Sequence, residues 1–177
     1  MTVEPWWVTV NGPNLAQGDF LRDCLVPIMP ADFVVPTEGE QAESALFEGY
    51  VFDLIVVTQS CDLENRKARL VATCPIHSVV EFEKVNPSLR GNWEQVRRGR
   101  YEGLHLLAGV NDPANNRDAL VVDFRQIYSL PIEYLEIHAA KQNPRMRLRS
   151  PYLEHFSQGF ARFFMRVGLP SSIPAYK

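Results

Sequence analysis

The chain has 177 residues, of which 46% are hydrophobic and 22% charged. These values fit a single globular domain over 1–177 and exclude a disordered chain. The net charge of −3 excludes binding of polyanions through overall charge alone. The longest apolar runs have strand length, so we expect no membrane contact, and the first residues lack the basic and apolar regions of a signal peptide, so we expect a cytoplasmic protein.

The first half of the chain predicts a β-rich fold. Apolar residues with polar interruptions over 20–29 predict a strand, and an acidic loop or short helix follows over 36–49. The apolar segment 53–58 is typical of a buried strand. A polar turn over 62–67 separates it from a further strand over 68–75, and we expect these two strands to form a hairpin.

The second half predicts short helices between strands. Trp93 and Val96 are the apolar pair of a helical segment within 87–99. Strands are expected over 101–108 and 119–127, followed by a short helix over 131–140 that begins at a proline. Arginines alternate with other residues over 145–149, which predicts a strand with one wet, basic face.

The last element is an amphipathic helix. Ser150 is a suitable N-cap and Pro151 a suitable first helical residue, while Gly168 and Pro170 end the helix. Closing the core is the favoured role of its apolar stripe, and binding a partner or a second copy is the alternative. The stripe consists of Leu153, Phe156, Phe160, Phe163, Phe164 and Val167, and the opposite face carries His155, Gln158, Arg162 and Arg166.

Charge is distributed unevenly along the chain. Residues 1–64 hold eleven acids and one base, whereas residues 140–177 hold seven bases and one acid. A fold that gathers the basic segments on one side presents a cationic face. The alternative is that the acidic and basic segments neutralise one another across the fold.

The polar segment that follows the buried strand contains candidates for catalysis. Cys61 is a candidate nucleophile if a base lowers its pKa, and His77 is the nearest candidate base in the sequence. The hairpin places these two residues at opposite ends of the sheet, which weakens the dyad. The favoured alternative is that Cys61 packs and Asp62 caps the turn through backbone N–H groups.

A metal site is the less favoured interpretation of the cysteines. Cys74 and His77 have the spacing of half a zinc site, which Cys24 and Cys61 would complete. The paired knuckles typical of zinc sites are absent from the sequence, and an odd cysteine count argues against a disulfide framework. We therefore expect neither a metal nor a cofactor.

Two groups of basic residues are candidates for contact with RNA. One lies within 93–101, where arginines alternate with aromatic residues suited to phosphate contact and base stacking. His105 follows it in an apolar strand and is expected to be a core histidine. The second group would match successive phosphates, an acidic protein partner, or the acidic first third of the chain. The candidates are Trp93, Arg97, Arg98 and Arg100 in the first group, and Arg145, Arg147 and Arg149 in the second.

The order of these motifs resembles the MazF/PemK-like family over roughly residues 17–135. Gly18-Asp19 resembles the opening of that family's first strand, and segments 54–57 and 74–76 its next two strands. Segment 119–123, followed by Leu130-Pro131, resembles its late strand and short helix. The resemblance implies a small SH3-like antiparallel barrel and a metal-independent endoribonuclease toxin.

The chain departs from this family at two catalytic positions. Phe52-Asp53 stands where the family has Arg-Pro, and His77-Ser78 stands where it has a threonine or serine. Only Ser78 or His77 could therefore take the role of that threonine or serine, and Cys61 and Asp62 are further candidates for catalysis. The hypothesis is an RNA-directed, mainly β barrel protein that forms homo-oligomers and has an antitoxin or other protein partner. The alternative is a non-catalytic module for protein–protein interaction in a larger bacterial system.

Overall fold

The computed structural model describes residues 5–32 and 47–165. Within them the chain is mainly β, which confirms the predicted fold class, and its strands pair antiparallel. The strands are β1 (Trp7–Val10), β2 (Phe20–Ile28), β3 (Glu48–Val56), β4 (Leu70–Ser78), β5 (Leu104–Leu107), β6 (Leu120–Asp123), β7 (Tyr128–Pro131) and β8 (Arg145–Leu148). The α-helices are α1 (Ser60–Glu64), α2 (Val79–Val85), α3 (Trp93–Arg97), α4 (Ile132–Lys141) and α5 (Tyr152–Phe164), with 3₁₀ turns at Pro87–Leu89 and Asn116–Asp118.

The larger sheet is open, with the order β2-β3-β4-β6-β5. β4 pairs with β3 along one side, and on its other side it pairs first with β7 and then with β6. The outermost strands β2 and β5 do not pair with each other among the described residues. The closed SH3-like barrel is therefore wrong, because the sheet ends in β2 on one side and in β5 on the other. Side chains of α4 cover part of the outer edge of β2, and helices flank that of β5.

The central strands are buried on both faces. Leu54 and Val56 of β3 pack into one apolar cluster and Ile55 into another, because successive side chains of a strand point to opposite faces. On the first face, α4 covers the cluster at one end of the sheet, and α2 and α3 cover the end near β5 and β6. The second face is covered by α5 and by the small sheet of β1 and β8.

Most of the predicted elements are present with shifted ends. The β3–β4 hairpin, the first long strand, the helices near 87–99 and 131–140 and the strand at 145–149 are confirmed. The polar turn predicted over 62–67 is wrong in its first part, which belongs to α1. The strands β1 and β7 and the helix α2 were not predicted from the sequence. Outside the described residues lie most of the acidic segment, over 36–46, and Arg166, Val167, Gly168 and Pro170 of the terminal helix.

The terminal helix α5 packs its apolar stripe onto the sheet. Phe156 is completely buried, and Leu153, Phe160 and Phe163 pack around it, whereas Phe164 is 51% exposed. The helix begins one residue later than predicted, and neither Ser150 nor Pro151 supplies a side-chain cap. In the described part of the chain, every helix is too short or too polar to cross a bilayer.

Candidate functional site

The outer edge of β5 has unpaired backbone groups. The amide of Phe124 donates to the carbonyl of Gly103 at 2.8 Å, which shows that Gly103 directs its backbone groups towards β6. In an antiparallel pair, every second residue does so, and His105 and Leu107 therefore bond to β6. The residues between them, Leu104 and Leu106, direct their N–H and C=O groups outward. No described residue bonds to these outward groups. They form a short row of donors and acceptors available to another strand.

Part of the opposite edge of the sheet is covered by Tyr134 of α4 and by Gln142, the residue after α4. The hydroxyl of Tyr134 accepts a hydrogen bond from the amide of Leu25 at 2.8 Å and donates one to the carbonyl of the same residue at 3.0 Å. Gln142 accepts from the amide of Arg22 at 3.0 Å and donates to its carbonyl. These side chains take the place of a neighbouring strand, so the two edges of one sheet differ in their availability.

The open edge of β5 lies in a groove between α3 and α5. Leu104 packs with Val96 of α3, whereas the next residue, His105, faces α5 on the other side of the sheet. The helices therefore form two walls, and the edge of β5 lies between them. The cavity has a volume of about 630 Å³, within the range of ligand pockets. Tyr101 and Tyr152 add aromatic surface to its lining.

Close packing of α5 on β5 depends on a glycine within the helix. A Cβ atom at Gly159 would lie 3.1 Å from Nδ1 of His105, closer than ordinary van der Waals contact. The imidazole packs against Phe124 and Phe156, with ring centroids 5.9 and 5.6 Å away. Burial, assisted by the charge of His155, lowers the pKa of His105 to about 4. His105 is therefore neutral at physiological pH, as expected of a core histidine.

The two walls of the groove differ in how their cations are paired. On α3 and the turn after it, Glu94 bonds to Arg97 and Arg98 at 2.7 Å, and these hydrogen bonds lower the pKa of Glu94 to about 2. On α5, Arg162 has no carboxylate partner among the described residues. Its Nη1 lies 3.9 Å from the position of a Cβ atom at Gly99, so the guanidinium points across the groove.

The first predicted basic group lies partly in this groove. Arg97 and Arg98 line it, together with the neighbouring Tyr101. Arg100 is exposed and donates to Gln95 at 3.3 Å. Trp93 does not present its ring for stacking, because it packs against Phe82 and donates to Glu83 at 2.7 Å.

The second basic group is largely committed within the protein. The side chain of Arg145 is 1% exposed, and it bonds to Asp19 and to backbone carbonyls of the segment before β2. Arg147 bonds to the same carboxylate. The predicted wet face of β8 is therefore wrong, because Asp19 lies beside this face and binds Arg145 and Arg147. Arg149 is half-buried and also has interactions of its own.

The predicted catalytic residues lie away from the groove and in two separate places. Ser78 accepts a hydrogen bond from the amide of Glu81 at 3.1 Å and caps α2. Nε2 of His77 is buried without a hydrogen-bond partner, and burial lowers the pKa of this residue. His77 and Ser78 line a second cavity of about 560 Å³. Cys61 and Asp62 lie in α1, beyond the other end of β4.

The cysteines and His77 do not converge. Cys24 and Cys74 are buried in different clusters on opposite faces of the sheet, and Cys61 is exposed. Cys74 and His77 are three residues apart on one strand, so their side chains point to opposite faces. No group of three metal-ligating side chains forms within the described ranges.

These features define a mainly β protein whose large sheet has one outer edge partly covered by side chains near a helix and another open within a groove. No protein-family model matches the chain, and no curated protein or solved structure matches it at a significant level. The MazF/PemK-like resemblance therefore stays a prediction, and the groove itself is the basis for a functional hypothesis.

Proposed function

We propose that this protein is a non-catalytic interaction module that binds an extended segment of a partner protein along β5. The outward N–H and C=O groups of Leu104 and Leu106 carry this proposal. An extended peptide adds to an open sheet edge through main-chain hydrogen bonds and gains specificity from pockets for alternate side chains. The flanking helices supply such walls here, and β5, with four residues, offers an edge about 13 Å long.

The groove favours a peptide over RNA for two reasons. The outward carbonyl groups of β5 need donors at regular spacing, and a peptide backbone supplies donors and acceptors in alternation. Several cations predicted to contact phosphates are also engaged within the protein, since Arg97 and Arg98 bond to Glu94 and Arg145 bonds to Asp19. RNA binding remains the competing hypothesis, and the same experiment tests it.

Endoribonuclease activity has little support from the groove. Such activity requires an acid, a base and a cation around one phosphate. His77, Ser78, Cys61 and Asp62 do not line the groove. His105 does, but its imidazole is held between aromatic rings beneath α5.

The test titrates ¹⁵N-labelled protein with four capped heptapeptides in which valine alternates with glutamate, glutamine, threonine or lysine. We expect at least one peptide to shift the amide signals of Leu104 and Leu106. A single-stranded RNA dodecamer is titrated in parallel at two salt concentrations. Salt-sensitive RNA binding with no peptide binding would replace this proposal with the RNA hypothesis. Unchanged spectra with all four peptides would also overturn it.

A matched pair of variants tests the role of the outward amide. Leu106→Ala and Leu106→Pro both remove the leucine side chain, but only proline removes the N–H that faces the groove. Proline is tolerated on an edge strand when its missing N–H points outward. We expect Leu106→Ala to bind peptide and Leu106→Pro to lose binding while keeping its fold. Peptides N-methylated at alternate positions provide the same test on the wild-type protein, because only one of the two sets is expected to bind.

A further inference from the structure

A strand added to β5 would present alternate side chains to chemically different walls. This follows from the proposed function and from the two-residue period of a strand. Peptide residues opposite Leu104 and Leu106 would form hydrogen-bonded pairs with them and would face α3. The residue opposite His105 would form a non-hydrogen-bonded pair and would face α5. Its own N–H would point away from β5.

The wall formed by α5 is the one suited to an anion. Arg162 lies there without a carboxylate partner among the described residues, and His155 and Gln158 also line this side of the groove. The wall formed by α3 offers the apolar Val96, and its two arginines already share Glu94. Glu102 is a further carboxylate in the lining. The unneutralised cation is therefore on the side that the residue opposite His105 would face.

We infer that the groove selects an acidic extended segment, with a carboxylate opposite His105 that pairs with Arg162. The non-hydrogen-bonded pair brings its two Cβ atoms to about 4.5–5.5 Å, so the side chain at this position lies close to the imidazole and below α5. Arg162 points across the groove towards Gly99 and so extends over the path of such a segment. A charge-assisted bond between guanidinium and carboxylate is stronger than a neutral one.

The test compares two heptapeptides of threonine and valine that differ only at the central residue, which is glutamate or glutamine. The central residue is N-methylated in both. Because this residue then has no N–H to donate, it fits only at a position whose nitrogen points away from β5, which fixes the register. We expect the glutamate peptide to bind wild-type protein five- to tenfold more tightly, measured by fluorescence anisotropy of a labelled peptide. With Arg162→Gln this preference should disappear. With Lys84→Gln, which removes an exposed cation of α2 outside the groove, it should persist.

The outcomes separate this inference from the proposed function. Equal binding of both peptides to wild-type protein, with shifts at Leu104 and Leu106, would overturn the acidic selectivity and retain peptide binding. The same applies if the glutamate preference survives in Arg162→Gln. Absence of binding by both peptides, and by the alternating set described above, would overturn the proposed function itself.

Discussion

Arg145 and Asp19 form an ion pair across 3.1 Å, with side chains 1% and 0% exposed. Asp19 lies just before β2 of the large sheet, and Arg145 opens β8 of the small sheet. Arg147 bonds to the same carboxylate, and Gly12 and Asn14 supply carbonyl groups to Arg145. The charges are thus paired and hydrogen-bonded, as burial requires, and the cluster joins the two sheets.

The Asp19→Asn substitution is expected to destabilise the protein by about 3–5 kcal/mol, because it leaves buried guanidinium charge without a counter-charge. Urea unfolding measures the change in free energy. The control is Arg66→Gln, which breaks the Arg66–Glu136 pair, in which the arginine side chain is 61% exposed. A pair of this kind contributes at most about 1 kcal/mol. Equal losses in the two variants would contradict the assigned role of Asp19.

Removing the hydroxyl of Tyr134 should uncover the edge of β2. Tyr134→Phe deletes both hydrogen bonds to Leu25 at a cost of about 1 kcal/mol, and it exposes backbone groups that can pair with another chain. We expect increased self-association in analytical ultracentrifugation. Tyr128→Phe is the matched control, because that hydroxyl bonds only to the side chain of Gln126. Comparable self-association of both variants would show that the edge is not the cause.

The buried His105 makes the stability of the fold depend on pH. Its pKa is about 4 in the folded protein, whereas an unfolded histidine has its usual value of 6.5. The unfolded chain therefore binds this proton first as the pH falls, and stability decreases between pH 6.5 and 4. The loss is at most roughly 3 kcal/mol, at about 1.4 kcal/mol per pKa unit.

Urea unfolding of a His105→Asn variant at several pH values measures this contribution. The variant should lack this part of the pH slope. His155→Gln should keep most of it, because burial is a larger cause of the His105 shift than the charge of His155. An unchanged slope in His105→Asn would refute the assignment.

The three thiols should react differently in the folded protein. Cys24 and Cys74 are completely buried, and burial raises the pKa of each thiol to about 12, whereas Cys61 is exposed. At pH 8 a thiol reagent such as DTNB should label one cysteine in the native state and three in denaturant. Cys61→Ser should abolish native labelling without changing the melting temperature. Rapid native labelling of two or more thiols would contradict the placement of Cys24 and Cys74.

The sequence predicted elements whose patterns are local. The β3–β4 hairpin was predictable because both strands are apolar and separated by a polar segment. The helix α2 had a signal that was overlooked, since Ser78 and Glu81 have the spacing of a capping box. The basic face of β8 was wrongly predicted to be wet. The alternation of residues along a strand identifies its two faces, but it does not show which face meets Asp19, a buried acid 126 residues away.

The open edge of β5 and the covered edge of β2 depend on contacts that no local pattern encodes. Tyr134 and Gln142 bond to the backbone of β2 from more than 100 residues along the chain. One feature of the sequence indicated the groove indirectly. Gly159 lies in the interior of the terminal helix, and a glycine at such a position often marks a close approach, here to His105.

A sheet with two free outer strands can add partners at both ends, whereas backbone groups of β2 in this sheet are already bonded to side chains. When a partner strand pairs with β5, side chains of α4 cover part of the outer edge of β2 at the other end of the sheet. The coverage of β2 favours a one-to-one complex, or a closed pair if the partner strand belongs to another copy of the chain. Tyr134 and Gln142 thus restrict strand addition at a distance from the binding groove.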